Sequence, residues 1–376
     1  MYRRSFISTA ALGGIGLALS PMLAYAQART DSTQASQSPN SLPMNSGNHE
    51  RYRPLYRFGL GGAVGLGDMR REMSEQQALM LLQEAWKLGV RYYDTSPWYG
   101  LGLSERRHAM LLSAREHDAY ILSTKVGRLL KPEPGYSHDD WKGVSNFNYE
   151  YDYTAAGTRR SIEDSLQRMG VPSLDVVFIH DLSPDNVDMG EGWKEHFEVA
   201  VKGAMPELVK MREEGLIKAW GMGVNTLPPA LGAIERSDPD IILSATQYSL
   251  LKHKDTLNQL FPAAEKQGVS IVVGAPLNSG YLAGNDYFNY SQDVPPEIQH
   301  KRERYRQLAR EHQVDLRTAA LQFANAPSVV SAIIPGASKP EHVRENVASM
   351  SDQVTGEFWS AAKQAGLIEE NAPTPS

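Results

Sequence analysis

Four polar residues of different chemical types stand at or just after the ends of predicted strands. Asp94 ends the segment Gly-Val-Arg-Tyr-Tyr-Asp, Tyr99 follows five residues later, and Lys125 and His180 end the next two apolar segments. These types together suit the reduction of a carbonyl group. A phenol can donate the proton, an ammonium can lower the phenol's pKa, and a carboxylate can keep a buried ammonium charged. An imidazole can hydrogen-bond the substrate oxygen.

The segments around these residues alternate between strand and helix patterns. Short runs rich in Val and Ile, each followed by an amphipathic segment, predict parallel strands joined by helices. Eight such repeats across roughly 290 residues favour a single-domain α/β fold, the (β/α)8 TIM barrel, over an open doubly wound sheet. The C-terminal ends of the strands would then form one rim and bring the four residues together. The predicted strands are Phe58–Gly61, Gly89–Asp94, Ala119–Lys125, Leu174–His180, Ala219–Val224, Ile241–Gln247, Val269–Gly274 and Val329–Pro335.

Helix signals agree with this order. Ser74 and Gln77 have the spacing of a capping box, and Gly89 is a typical helix stop. The predicted helices include Ser74–Leu88, Thr158–Met169, Met205–Glu214, Asp255–Gln267 and Lys301–Ala326, the last with a break near Val314.

The N-terminal region has the pattern of an export signal. Arg3-Arg4 precede an apolar run and small residues that suit cleavage, so we expect a twin-arginine signal peptide over 1–28. The run is interrupted at Pro21 and is shorter than the roughly 20 residues of a membrane span, which disfavours an uncleaved anchor. We therefore expect export through the twin-arginine machinery, a periplasmic location and no stable membrane span in the mature protein.

Composition sets the remaining domain boundaries. Residues 29–51 are rich in Ser, Gln, Asn and Pro, which predicts a disordered linker. The barrel is expected over 52–368 and a flexible tail over 369–376. Truncation before Tyr52 should then leave a folded, active protein.

Composition also excludes several classes of site. The chain of 376 residues contains no cysteine, which rules out disulfides, thiolate metal sites and a cysteine nucleophile. Its formal net charge of -6 gives no basic excess for binding nucleic acid. The predicted strand ends also lack the clustered His and carboxylate ligands that a metal-dependent hydrolase needs, so no metal is expected.

The glycine cluster near the first strand does not fit a Rossmann fingerprint. After Gly59 and Gly61, the third glycine would have to stand at the position of Val64. The glycines are better explained by a tight turn at the barrel mouth beside a ligand.

The motifs RFGLGGA, SPWYGLGLSERR, STKVGRLL, SIEDSLQRMG and IHD occur in this order along the chain. With them, the chain resembles the aldo-keto reductases over about residues 56–350. It looks most similar to the branch of D-threo-aldose and L-fucose 1-dehydrogenases, which also includes pyridoxal-type dehydrogenases. The resemblance implies an NAD(P)-dependent oxidoreductase with the tetrad Asp94, Tyr99, Lys125 and His180. Its substrate would be an aldose or another aldehyde.

The resemblance also implies a binding site for the dinucleotide. Asn225 and Gln247 would bond the nicotinamide carboxamide, with barrel-rim hydrogen bonding as the alternative. Residues expected along the pyrophosphate and the adenosine are Pro276, Leu277, Ser279, Gly336, Ala337, Ser338, Glu345 and Asn346.

Two positions depart from the family pattern. Gly274 stands where many members place a tyrosine on the nicotinamide. Gly336 and His342 stand where NADP-preferring members often carry cations, which favours NAD, although Lys339 and Arg344 could substitute.

A long segment after the third strand is rich in aromatic residues. It runs over 129–153, and we expect it to form a lid, with Trp98 and Trp141 contacting substrate. A surface excursion without a role in binding is the alternative. For the whole protein, the alternative is a non-catalytic, nicotinamide-sensing barrel that resembles the β subunits of potassium channels.

Overall fold

The computed structural model describes residues 42–143 and 145–375; the predicted signal peptide over 1–28 lies outside them. The strands of this part are β1 Gly59–Gly61, β2 Tyr92–Asp94, β3 Ile121–Val126, β4 Arg128–Tyr136, β5 Ser145–Tyr151, β6 Leu174–His180, β7 Ile217–Val224, β8 Ile241–Ala245, β9 Ser270–Gly274 and β10 Val330–Ile334. Eight of them run parallel and form one sheet in the order β1-β2-β3-β6-β7-β8-β9-β10. The predicted (β/α)8 barrel is confirmed.

Contacts between the first and last strands bring the sheet to a nearly closed barrel. Phe58 bridges Ile333, and Gly61 bridges Gly336. A Cβ at Gly61 would lie 2.9 Å from the carbonyl oxygen of Ile334, and one at Gly65 would overlap the carbonyl oxygen of Ala337. The glycine cluster therefore permits close backbone approach between the two ends of the sheet.

Helices cover the outside of the barrel. The predicted capping box is present, since Ser74 Oγ accepts from the Gln77 N–H and the Gln77 side chain accepts from the Ser74 N–H. The predicted break near Val314 is also present, since one helix ends at Glu311 and the next begins at Leu316. The helices are α1 Glu75–Lys87, α2 Leu103–Leu112, α3 Ala155–Met169, α4 Trp193–Lys202, α5 Ala204–Glu213, α6 Leu227–Arg236, α7 Phe261–Lys266, α8 Pro296–Glu311, α9 Leu316–Asn325, α10 Pro340–Ala348 and α11 Gly356–Gln364. In the part of the chain that the structure describes, no helix is long and apolar enough to cross a membrane.

The core has two layers because successive strand residues point to opposite faces. In β6, Val176 and Phe178 belong to a cluster of strand side chains inside the barrel. Val177 and Ile179 belong to the larger cluster between the sheet and the helices. Both faces of the strand are thus buried, which explains the continuous apolar run that predicted it.

The aromatic segment after β3 forms a hairpin. Strands β4 and β5 pair antiparallel, with Arg128 opposite Tyr151 and Pro132 opposite Phe147. Its aromatic side chains pack with those of the loop after β2, in a cluster whose buried members are Trp98, Leu101 and Trp141. The two strands of the hairpin therefore form part of the wall of the C-terminal rim.

The folded part of the chain begins before Tyr52, which corrects the boundary expected from composition. Asn45 Nδ2 donates to the carbonyl oxygens of Pro54 and Ser331, each at 2.7 Å. Arg51 donates to Gln267 O at 2.7 Å and to Asp238 at 2.6 Å. Residues 42–56 thus lie against the N-terminal ends of β9 and β10. The rest of the predicted linker, 29–41, lies outside the described residues.

The C-terminal residues also pack on the barrel as far as Ala372, contrary to the expected flexible tail over 369–376. The Glu369 N–H donates to His253 Nε2 at 3.2 Å, and Asn371 Nδ2 donates to Asn258 at 2.9 Å. Ala372 is buried within the main core cluster.

We expect Asn45→Ala to lower the free energy of unfolding by about 2 kcal/mol, because partly buried polar groups lose their partners. Besides its two donated bonds, Asn45 accepts from Arg57 Nη1 at 3.1 Å. Asn48 is exposed, so Asn48→Ala is the control, with an expected change below about 0.5 kcal/mol. Chemical denaturation measures both. Equal effects of the two substitutions would show that the docking of residues 42–51 contributes nothing to stability.

Candidate active site

A buried ion pair forms the base of the site. Asp94 is the last residue of β2, and Lys125 lies near the end of β3. Lys125 Nζ donates to both carboxylate oxygens of Asp94, at 2.9 and 2.8 Å, and to Thr95 O at 2.7 Å. Ser123 Oγ donates to Asp94 Oδ1 at 2.6 Å. All three N–H groups of the ammonium are therefore used, as a buried charge requires.

Tyr99 lies directly above this pair. Its ring centroid is 4.7 Å from Lys125 Nζ, and the residue is half-buried. Burial, followed by the charge of Asp94, raises the pKa of Tyr99 well above its ordinary value of about 10. This differs from the expectation that Lys125 lowers that pKa, because the charge of Lys125 is paired with Asp94.

His180 completes the group at the end of β6. Its ring centroid is 5.6 Å from that of Tyr99, in an edge-to-face arrangement. Burial, with the cations of Lys125 and Arg128, lowers the pKa of His180 well below its ordinary value. The structure thus brings all four predicted side chains together, with a neutral phenol beside a neutral imidazole.

Two residues that our sequence analysis did not select join this group. Arg128, at the start of β4, donates to Asp181 Oδ2 at 2.8 Å and to the Tyr151 hydroxyl at 2.9 Å. Asp181 directly follows His180, and its Oδ1 lies 3.3 Å from His180 Nε2. Both lie within motifs quoted above, STKVGRLL and IHD, but neither ends a predicted strand.

A cavity of about 690 Å³ extends from Asp94 and Tyr99 across the rim to the N-terminus of α10. Its walls come from the loop after β1, the segment after β9 and the turn after β10. In the described residues, no group of three or more His, Asp or Glu side chains is arranged to hold a metal ion.

Comparison with known proteins identifies the family. The model of the aldo/keto reductase family matches residues 58–366. The chain belongs to the aldo/keto reductase family. It is therefore an oxidoreductase.

Two curated relatives fall in the branch that the motifs indicated. The chain is 33% identical over 325 residues to a D-threo-aldose 1-dehydrogenase of a Pseudomonas species, covering 84% of this chain and 94% of that protein. It is 34% identical over 327 residues to pyridoxal 4-dehydrogenase of Microbacterium luteolum, covering 83% and 94%.

Solved structures show the same fold. An aldo-keto reductase from Bacillus halodurans in its holo form has a TM-score of 0.60 and 23% identity, covering 86% of this chain and all of that one. A glycerol dehydrogenase from Gluconobacter oxydans has a TM-score of 0.64 and 20% identity, covering 88% and 96%. An aldo-keto reductase from Klebsiella pneumoniae in complex with NADPH has a TM-score of 0.59 and 18% identity, covering 85% and 94%.

Most cofactor residues implied by the aldo-keto reductase resemblance line the cavity. Those that do are Pro276, Leu277, Ser279, Gly336, Ala337, Ser338, Glu345 and Asn346. Asn225 and Gln247 are not in the cavity wall as formed by the described residues. Gln247 is buried, and its Nε2 donates to Thr246 Oγ1 at 3.0 Å, which is the rim hydrogen bonding considered above.

The two tryptophans expected to contact substrate lie behind Tyr99. Trp98 and Trp141 pack edge to face with centroids 5.2 Å apart, and both are buried. Trp141 lies 6.2 Å from the Tyr99 ring and lines a separate cavity of about 360 Å³. In this structure, the two rings support the tyrosine and the hairpin and do not line the main cavity.

Cations line the end of the cavity beside α10. Arg71, Arg317 and Lys339 are part of its wall, and Arg71 Nη2 donates to Ser338 O at 2.7 Å. Burial and these cations lower the pKa of His342, so the imidazole between them is neutral. Arg344 instead pairs with Glu84 at 2.8 Å, away from the cavity.

We expect Lys125→Met to lower the free energy of unfolding by about 3–5 kcal/mol, because it leaves the Asp94 carboxylate buried without a cation. The double variant Asp94→Leu/Lys125→Met should recover most of this loss, since an apolar pair replaces the two charges. Chemical denaturation measures both.

The exposed pair Lys131–Glu150 provides a control. Lys131→Met should cost less than about 1 kcal/mol because exposed ion pairs contribute little. A double variant no more stable than Lys125→Met alone would contradict this account.

Proposed function

We propose that this protein transfers hydride between a nicotinamide cofactor and the carbonyl or lactol carbon of an aldose or another aldehyde, with Tyr99 exchanging the proton. One observation carries the proposal. Tyr99 faces the cavity with a fully satisfied Asp94–Lys125 pair beneath it and the neutral imidazole of His180 beside it. A carbonyl oxygen placed between the phenol and the imidazole would meet a proton donor and an orienting group.

The cavity suits a dinucleotide. The first turn of α10 lies at its far end, where backbone N–H groups and the helix dipole favour phosphate. Gly61 and Gly336 leave the backbone open in its wall. When bound, the nicotinamide would supply or accept the hydride. The complex of the Klebsiella pneumoniae protein with NADPH supports this assignment.

The role of Tyr99 follows from its protonation. With its pKa raised by burial and by Asp94, the phenol holds its proton across the neutral range. It is therefore ready to protonate a carbonyl oxygen during reduction, while oxidation of an alcohol or lactol requires the phenolate. The Asp94–Lys125 pair positions the ring from below.

The cations beside α10 bear on the choice of cofactor. The absence of cations at positions 336 and 342 favours NAD, whereas Arg71 and Arg317 bring two guanidinium groups to the cavity wall. Guanidinium groups at this end could form charge-assisted bonds to a 2′-phosphate. We propose that the enzyme accepts NADP as well as NAD.

The substrate class is proposed from relatives and from the cavity wall. One relative is named for an aldose, whose cyclic form has a lactol carbon in its ring, and another for pyridoxal, which carries an aldehyde on its ring. The cavity wall includes Asn285, Tyr287, Tyr290 and Gln292. Aromatic faces with amide and hydroxyl groups suit a polar ring, and we favour an aldose.

A periplasmic location remains a proposal that rests on residues 1–28 alone. Twin-arginine export carries folded proteins, so a cofactor could be loaded before export.

We expect Tyr99→Phe to reduce turnover by about 10²–10⁴-fold, because it removes the hydroxyl that exchanges the proton. Cofactor affinity should stay close to that of the wild type. Tyr93→Phe is the control, since Tyr93 is buried on β2 and its hydroxyl only donates to Val90 O at 3.0 Å. Aldehyde reduction with NADH or NADPH and a fluorescence titration of cofactor binding provide the two measurements.

More than a tenth of the activity remaining in Tyr99→Phe would contradict the assignment. A wild-type protein that binds cofactor but turns over no member of an aldehyde and aldose panel would favour the nicotinamide-sensing alternative.

The pKa shifts predict different pH profiles for the two directions. The raised pKa of Tyr99 keeps the acid form, and the lowered pKa of His180 keeps the neutral form, from about pH 6 to 9. The rate of reduction should therefore be flat over this range. The rate of oxidation should rise about tenfold per pH unit because the phenolate fraction does so. Steady-state kinetics in both directions test this, and a reduction rate that falls between pH 6 and 8 would contradict it.

A further inference from the structure

Arg128 is fixed in one position beside His180. Its side chain is 5% exposed, and its guanidinium carbon lies 4.4 Å from the ring centroid of Trp98. Nη1 donates to Asp181 and Nη2 to the Tyr151 hydroxyl. With one face stacked and both ends bonded, the guanidinium plane has little freedom to rotate.

Two hydrogen-bond donors face the Nδ1 atom of His180. Arg128 Nη1 lies 3.5 Å from His180 Nδ1, and Ser96 Oγ lies 3.3 Å from the same atom. Ser96 Oγ already accepts from the Trp98 N–H at 3.1 Å, so its hydroxyl hydrogen is available to Nδ1. Because a guanidinium can only donate, the nitrogen facing it must carry a lone pair. The proton of the neutral ring then lies on Nε2.

Asp181 contacts both Arg128 and His180. Its carboxylate binds Arg128 through Oδ2 and lies beside His180 Nε2 through Oδ1. Its φ is +47°, a left-handed conformation that is uncommon in residues other than glycine. Its N–H donates to Gly223 O at 3.1 Å, and its carbonyl accepts from Asn186 Nδ2 at 3.0 Å. Strained backbone held this firmly is typical of functional sites.

We infer that Arg128, held by Asp181 and Tyr151, is a positioning residue that keeps His180 neutral with its proton on Nε2. The inference rests on the proposed function, in which His180 directs the substrate oxygen. A proton on Nε2 makes that atom the donor from which a carbonyl oxygen can accept. Arg128 thus acts on the reaction through His180.

The charged surroundings of the imidazole agree with this role. Burial, then Lys125 and Arg128, lower the pKa of His180. Lys125 forms an ion pair with the buried Asp94. Arg128 forms an ion pair with Asp181, whose side chain is 20% exposed. Removing Arg128 leaves Asp181 as an unpaired anion beside the ring, which favours the imidazolium. The titratable and charged groups around the ring are Tyr99, Asp94, Lys125, Arg128, Tyr153 and Asp181.

The test observes His180 directly by NMR of the full chain labelled with ¹⁵N-histidine. A difference spectrum against His180→Gln assigns its signals. In the wild type, His180 should carry its proton on Nε2 and should not titrate between pH 5.5 and 8. In Arg128→Met, it should titrate within that range, and kcat/KM for aldehyde reduction should fall about 10- to 100-fold with a new pH-dependent limb. Arg128→Lys should restore the flat profile because it returns the cation.

Arg212→Met is the matched control, since Arg212 pairs with Asp238 and Asp240 away from the cavity. A proton on Nδ1 in the wild type overturns the inference, as does an unchanged His180 in Arg128→Met or an equal change in Arg212→Met. If Arg128→Met does not fold, Arg128→Gln replaces it, and the wild-type tautomer is measured in either case. The NMR result stands even if no substrate is turned over, so failure of the inference is distinguishable from failure of the proposed function.

Discussion

The ion pair of Asp94 and Lys125 is the constraint on which the site depends. Both side chains are almost fully buried, and charges at that depth are tolerated only when their hydrogen-bonding capacity is filled. The pairing of β2 with β3 fills it, since Asp94 lies opposite Ser123, whose hydroxyl bonds the carboxylate. The barrel register therefore decides whether the pair can exist. The ammonium donates its three hydrogen bonds to Asp94 and Thr95.

Burial and the arrangement of the charged side chains set the protonation of Tyr99 and His180. Tyr99 sits above the ion pair, and burial, followed by the charge of Asp94, raises its pKa, so the phenol keeps its proton. His180 is buried among cations and stays neutral. An acid and a neutral orienting group thus result from desolvation and from the placement of paired charges.

The sequence predicted the strand ends well because their information is local. Buried strands followed by helices have a clear apolar pattern, and Asp94, Lys125 and His180 lie at or next to the ends of three of them. The packing of residues 42–51 depends instead on bonds such as that of Asn45 to Ser331, 286 positions away, which leave no periodic signal. Arg128 and Asp181 were missed for a related reason. Their roles come from their contacts with His180 and with each other, and a polar residue one step beyond a strand gives no sign of its partner.

The packing around Gly274 limits the size of the side chain at this position. A Cβ at this position would lie 3.1 Å from both Ala245 Cβ and Leu243 Cδ2, so the packing of β8 against β9 leaves little room for a larger residue. Two aromatic rings of the cavity wall come from Tyr287 and Tyr290, on the segment that follows β9. Tyr290 is held at a φ of +77°, its N–H donating to Ser279 Oγ at 3.1 Å, and Arg70 stacks on Tyr287 at 4.0 Å. The positions of these two rings depend on loop contacts, which leave no regular pattern in the sequence. The glycine at position 274 therefore does not reveal them.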